Sequence, residues 1–238
     1  YFGGVMKHNP ENPEDEARDR FILAKGHAAP AIYATLAEAG YFPVEELKTL
    51  RKLGTRLQGH PDSNLLPGIE VSTGSLGQGL SIAAGIAAGF KLDGVSNRVF
   101  TVMGDGETEE GQVWEAATFA AHQELGNLIA VVDLNGLQID GKVDHVCASG
   151  TLAGKFAAFG WEVHEVNGHD MDALIELFSD LKASETAQPK VVIAHTIKGK
   201  GATFAESTGA HSSQPTPEQW EEAIAAAEAE LAAVKAAK

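Results

Sequence analysis

The sequence predicts an α/β fold, a parallel sheet with helices on both faces. Three observations carry this. Residues 99–103 (VFTVM) and 128–132 (LIAVV) are short apolar runs that read as strands buried on both sides. Residues 111–124 between them are rich in helix formers and have the length of a crossover helix. Apolar runs and helical patterns keep alternating further along the chain, as a parallel sheet requires.

Taken in order, residues 14–24 read as a short helix or turn carrying Arg18 and Arg20, interrupted by Lys25-Gly26-His27. Residues 28–38 form a helix that ends at Gly40. Residues 43–53 form a third, with Pro43 near its first position and Gly54 beyond its end. Residues 55–71 contain Gly59, Pro61, Pro67 and Gly68 with little periodicity, a long loop of the kind that usually carries function. A small-residue helix covers residues 74–91. After the central strand–helix–strand unit, Ile139-Asp140-Gly141 is a turn, residues 151–159 a helix and residues 161–166 a strand. Residues 171–183 form an amphipathic helix with Leu174, Ile175 and Phe178 inward, and residues 190–196 another buried strand. Residues 198–217 are loop-like. Residues 216–238 are a capped, alanine-rich terminal helix with Pro217 at its first position. With no internal repeat and no linker, residues 1–238 read as one domain. The opening at Tyr1 rather than methionine leads us to expect an upstream segment.

Composition narrows the function. A net charge of −15 disfavours nucleic acid, because phosphate neutralisation needs clustered Lys and Arg. The apolar run at residues 80–90 (LSIAAGIAAGF) is too short to span a membrane. No secretory leader opens the chain, and the single cysteine, Cys147, suits a reducing compartment, so a cytoplasmic protein is expected.

The chemistry is expected at Gly104-Asp105-Gly106 and, about thirty residues on, Asn135. In a strand–helix–strand unit both follow strand ends on one edge of the sheet. A carboxylate and a carboxamide oxygen suit a hard cation such as Mg²⁺, with Ca²⁺ or Mn²⁺ as substitutes, and the glycines let a diphosphate approach the backbone. Each motif is also an ordinary turn signal. Glu109 stands where a dinucleotide fingerprint needs its third glycine, and no Gly-Lys-Ser/Thr follows to make a Walker loop. Gly74-Ser75-Leu76-Gly77-Gln78-Gly79 is a helix entrance of small residues, suited to close packing or to a flat ligand. Among nine histidines, His27, His60 and His211 sit in glycine-marked loops (AKGHAAP, LQGHPD, STGAH). They lack zinc spacing, so proton handling or hydrogen bonding to hydroxyls is their expected role. His8, His122, His145, His164 and His169 are assigned none.

Residues 104–141 (GDGETEEGQVWEAATFAAHQELGNLIAVVDLNGLQIDG) resemble the thiamine-diphosphate motif of transketolases. RFILAKGHAAPAIYATLAEAGY, LQGHPD, PGIEVSTGSLGQGLSIAAG and HTIKGKG are similar to the same family, in the family's order. The resemblance implies a thiamine-diphosphate-binding fold. It implies that Asp105 and Asn135 bind Mg²⁺ by side-chain oxygens and Leu137 by its main-chain carbonyl. Gly106 and Glu107 would offer backbone contacts to the diphosphate, and Gly74, Ser75 and Leu76 would line the aminopyrimidine. His27 and Lys198 would approach the diphosphate and thiazolium, His60 the C1 hydroxyl of a donor ketose, and His211 both cofactor and substrate. Glu110 and Glu115 match carboxylates that communicate across the family's dimer interface. The family's His211 counterpart is usually followed by Gly, whereas Ser212 follows here.

A full transketolase is more than twice as long as this chain. The resemblance therefore implies the N-terminal subunit of a split enzyme, inert alone and active with a C-terminal-half subunit that supplies the pyrimidine-activating glutamate. The assembly expected is a heterotetramer of two chain types acting on sugar phosphates in the pentose phosphate pathway. The alternatives are a sulfosugar or branched-sugar transketolase, a deoxyxylulose phosphate synthase, a 2-oxo acid dehydrogenase component, or a non-catalytic module that holds the cofactor.

Overall fold

The computed structural model describes residues 1–147, 150–206 and 214–236, and the chain divides into two compact units. The first comprises Tyr1–Leu134 and Gly150–His195, the second Asn135–Ser149 and Thr196–Lys238.

The first unit is built on five parallel strands in the order β1-β2-β3-β7-β6: β1 Arg20–Leu23, β2 Val99–Gly104, β3 Leu128–Leu134, β7 Lys190–His195 and β6 Glu162–Asn167. Its helices are α1 Ala29–Glu38, α2 Gly79–Asp93, α3 Gly111–His122, α5 Leu152–Ala158 and α6 Met171–Ala183. The strands are covered on both faces, and their two-residue alternation decides which core each side chain joins. Val99, Met103, Leu128, Ala130, Val191 and Ile193 pack with Leu80, Ala83, Ala84 and Ala87 of α2, Val113 and Ala117 of α3 and Phe156 of α5. Their neighbours Phe100, Ile129 and Val192 turn the other way, onto Leu177, Phe178 and Leu181 of α6. Buried Ala83, Ala84 and Ala87 of α2 and Ala116, Ala117 and Ala120 of α3 permit a close approach of helix to sheet, and at the start of α2 a Cβ on Gly79 would collide with Ala24. Trp161, just ahead of β6, anchors α3 by donating its Nε1–H to the Ala117 carbonyl at 3.0 Å.

The second unit holds the hairpin β4 Leu137–Gln138 and β5 Gly141–Lys142, a short α4 Val143–Val146, and α7 Pro217–Ala236. Thr216 and Gln219 cap α7 reciprocally: the Gln219 N–H donates to Thr216 Oγ1 at 3.3 Å and the Thr216 N–H to Gln219 Oε1 at 2.8 Å.

Several expectations are corrected. Residues 20–23 form an edge strand paired in parallel with β2, not part of a helix, because Phe21 and Leu23 feed one core and Ile22 the opposite one. Residues 44–49 form a 3₁₀ segment rather than an α-helix, preceded by Pro43 in extended geometry. The small-residue helix begins at Gly79, not Gly74, since Gly77 at φ +82° cannot lie inside a right-handed helix. In α6 the inward stripe is Leu177, Phe178 and Leu181, with Leu174 half-buried and Ile175 41% exposed. The stripe's 3–4 spacing carries Ile175 round to the outside. The short helix α4 was not expected.

Candidate cofactor site

Strands β1, β2 and β3 end together, and an open parallel sheet binds its ligands at that carboxyl edge. Gly104 pairs in register with Asp133, and the Asp105 N–H continues the ladder by donating to the Asp133 carbonyl at 3.3 Å. Asp105 is only 2% exposed, and its Oδ1 accepts from the Gly106 N–H at 2.8 Å. A diphosphate oxygen reaching Gly106 would share that N–H. The Lys25 ammonium, on the chain just beyond β1, forms an ion pair with the Asp133 carboxylate, so a cation stands at the strand ends.

Three loops are packed against one another here with no room between them. A Cβ built on Gly26 would lie 2.6 Å from the Thr73 carbonyl oxygen and 2.7 Å from the Gly74 nitrogen. One on Gly74 would lie 3.2 Å from Cδ2 of His60, so the His60 ring rests on that glycine. One on Gly77 would meet Glu110 Cβ at 2.5 Å, and its φ of +82° suits only glycine. The loop carrying His27, the His60 loop and the entrance at residues 74–77 thus form one packed set within the first unit. His27, His60, Ser75 and Leu76 are at least partly exposed on it.

Glu107 locks this set to the strand end. Its Oε1 accepts from the Gly77 N–H at 2.9 Å and its Oε2 from the Gly104 N–H at 3.0 Å, while the residue is 5% exposed. Burial raises its carboxyl above the usual range and Glu110 adds to this, opposed by the two backbone N–H donors and Lys25. The family resemblance implied only a backbone contact for Glu107. Its side-chain role, like the Lys25–Asp133 pair, went unread because each partner is remote in the chain; the signal available was an acidic residue directly after Gly-Asp-Gly.

Other expected residues belong to the second unit. Asn135 Oδ1 accepts from the Leu137 N–H at 3.0 Å, and Gly136 turns the chain between them at φ +73°. Lys198, half-buried, precedes Gly199 at φ +74°. His211 lies outside the described residues. No group of three or more His, Cys, Asp or Glu able to hold a metal occurs among the described residues. The donor set expected here contains one carboxylate and so is not of that kind. A cavity of about 510 Å³ lined by Arg18, Arg20, Ser63, Asn64 and Glu70 includes no expected site residue. Glu70 bridges both guanidinium groups there, at 2.7 and 3.2 Å.

The family model described as "Transketolase, thiamine diphosphate binding domain" matches residues 1–231. The chain is 44% identical over 227 residues to SqwG, the 6-deoxy-6-sulfo-D-fructose transketolase subunit of Clostridium sp. (strain MSTE9), covering 95% of this chain and 82% of that one. It is 40% identical over 221 residues to an apulose-4-phosphate transketolase subunit of Phocaeicola vulgatus, covering 92% and 78%. Its backbone superposes on the crystal structure of transketolase from Campylobacter jejuni with a TM-score of 0.82 at 33% identity, covering 88% of this chain but 34% of that one. The chain therefore spans about four-fifths of the two relatives named as subunits and about a third of the solved enzyme.

Proposed function

This chain belongs to the transketolase family, matching its thiamine diphosphate binding domain, and from that premise we propose that it is the cofactor-binding subunit of a split transketolase. With a second chain supplying the rest of the enzyme, it would transfer a two-carbon ketol unit from a ketose phosphate to an aldose phosphate. The observation that supports the reading is the likeness to two relatives named as transketolase subunits, at 44% and 40% identity over 95% and 92% of this chain.

Thiamine diphosphate, when bound, supplies the reactive carbon for ketol transfer. The chain's own residues hold and orient it. Asp105 and Asn135 would bind Mg²⁺ through side-chain oxygens and Leu137 through its carbonyl, all oxygen donors of the kind a hard cation takes. Held there, the metal would anchor the diphosphate rather than act as a Lewis acid on the substrate. Gly106 and Glu107 present backbone N–H groups to the diphosphate. Gly74, Ser75 and Leu76 line the aminopyrimidine, where exposed Leu76 offers an apolar surface to a flat ring. His27 and Lys198 would approach the diphosphate and thiazolium. His60 would hydrogen-bond the donor sugar near its C1 hydroxyl, and His211 would contact cofactor and sugar. The stacking of His60 on Gly74, and of Gly26 on Thr73 and Gly74, supports a shared role for these loops. The activating glutamate comes from the partner in a cytoplasmic heterotetramer, and the pentose phosphate pathway is the setting. A second reading, a sulfosugar or branched-sugar transketolase, is favoured by the sugars named for the two subunit relatives.

Calorimetry on the reconstituted assembly should show thiamine diphosphate uptake that depends on magnesium and is lost in Asp105→Ala. Uptake that survives the substitution would overturn the metal assignment. Ketol transfer should need both chains, and robust turnover by this chain alone would overturn the split-enzyme reading. A donor panel of xylulose 5-phosphate, 6-deoxy-6-sulfo-D-fructose, apulose 4-phosphate and pyruvate separates the sugar classes.

A further inference from the structure

Helix α7 is a 20-residue helix, yet every residue from Ile224 to Ala236 is exposed. Its large apolar side chains are not scattered. Trp220, Ile224, Ala227, Leu231 and Val234 recur at spacings of 4, 3, 4 and 3, which places them on one stripe roughly 21 Å long at 1.5 Å per residue. The four large ones are 52%, 54%, 53% and 50% exposed. Trp220 has an edge-on contact with Phe204, at a centroid distance of 5.7 Å, which ties the start of the helix to its own unit. A contiguous apolar stripe rimmed by polar residues marks an interaction surface.

The rim identifies the occupant. Glu221 and Glu228 flank the stripe on one side and Glu230 on the other, and Glu218 and Glu222 add to the charge of the first two turns. Lys235 is the helix's single cation among the described residues. A second copy would set five carboxylates against five, within a chain already at −15. The stripe alone also offers only a few hundred Å², less than the ~800 Å² per partner of a stable interface, so it suits an arm that adds to a larger contact.

We propose that the apolar stripe of α7 docks on the second transketolase chain, in an apolar groove or against a helix edged by Lys and Arg. This rests on the split-enzyme reading and adds the surface by which the two chains recognise each other. The test is the affinity of the purified full chain for the co-purified, mass-identified companion, measured by calorimetry or surface plasmon resonance at several salt concentrations. Ile224→Glu/Leu231→Glu should weaken it by about 100-fold, since each substitution forfeits an apolar anchor. Glu221→Lys/Glu228→Lys/Glu230→Lys should weaken it by about ten-fold and flatten its salt dependence. Ketol transfer by the apolar variant should return at saturating companion, and its magnesium-dependent cofactor uptake in that saturated assembly should equal wild type. Unchanged affinity in both variants overturns the docking while leaving the split enzyme standing. Concentration-dependent self-association of the chain alone, abolished by Ile224→Glu/Leu231→Glu, assigns the stripe to a second copy and also overturns it. If the wild-type chain binds no companion and the mixture shows no ketol transfer, the functional reading falls and the docking with it.

Discussion

Glu107→Gln is the sharpest test of how the cofactor loops are held. In the native chain each carboxylate oxygen accepts one backbone N–H, from Gly77 at 2.9 Å and from Gly104 at 3.0 Å. Glutamine keeps the shape but replaces one oxygen with an NH₂ group, so one buried N–H faces another donor. Hydrogen bonds to a charged group contribute about 1.5–3 kcal/mol, and a buried donor left unsatisfied costs about 1–3 kcal/mol. Relief of the burial that raises the native carboxyl offsets part of this. The net expected loss is about 1–2 kcal/mol, which for a chain of this size lowers Tm by about 5 °C. Glu107→Ala leaves both N–H groups without an acceptor and should cost about 3 kcal/mol. Calorimetric melting measures the stability. Titration of the reconstituted assembly with thiamine diphosphate measures whether loosening residues 74–77 also weakens cofactor binding, by about ten-fold for a loss of ~1.4 kcal/mol. A glutamine variant that melts with wild type and binds the cofactor equally well would refute the clamp.

Three further outcomes follow from the same geometry. Because burial raises the folded-state carboxyl of Glu107, its contribution to stability is fully present below about 4.5, the ordinary value, and is lost as pH rises through the folded value. The stability difference between wild type and Glu107→Gln should therefore shift in favour of wild type on acidification toward that pH, in denaturant titrations; a pH-independent difference contradicts it. Gly26→Ala puts a methyl group 2.6–2.7 Å from the backbone of Thr73 and Gly74 and should cost about 2 kcal/mol by denaturant unfolding, whereas Gly85→Ala, with nothing within 4 Å of the added Cβ, should not destabilise. Lys25→Met removes the cation beside Asp133 from a pair whose side chains are 18% and 24% exposed, and should cost about 1–2 kcal/mol after solvent screening; an unaltered unfolding midpoint would show that the pair contributes nothing.

Much of the fold was legible because the parallel sheet writes itself into sequence. Residues 99–103 and 128–132 are apolar on both sides, and only strands covered by helices on both faces tolerate that. The strand end at Gly104-Asp105-Gly106 was legible too, as glycines and an acid directly after an apolar run, although the triplet by itself reads equally as a turn and its expected role came from the family resemblance. What failed was local. Residues 20–23 are too short to show alternation, and only pairing with β2 makes them a strand. The start of α2 is decided by the left-handed conformation of Gly77, which a run of small residues hides.

By itself the sequence determined the sheet, its helices and the family to which they belong, because hydrophobic periodicity and short motifs act over a few residues. Tertiary structure alone decided that Glu107 reaches back thirty residues to Gly77, that Lys25 meets Asp133, and that His60 rests on Gly74. Those contacts are made between segments remote in the chain. They exist only because the ends of β1, β2 and β3 converge on one edge, and no local pattern encodes which side chain will then be nearest to which backbone group.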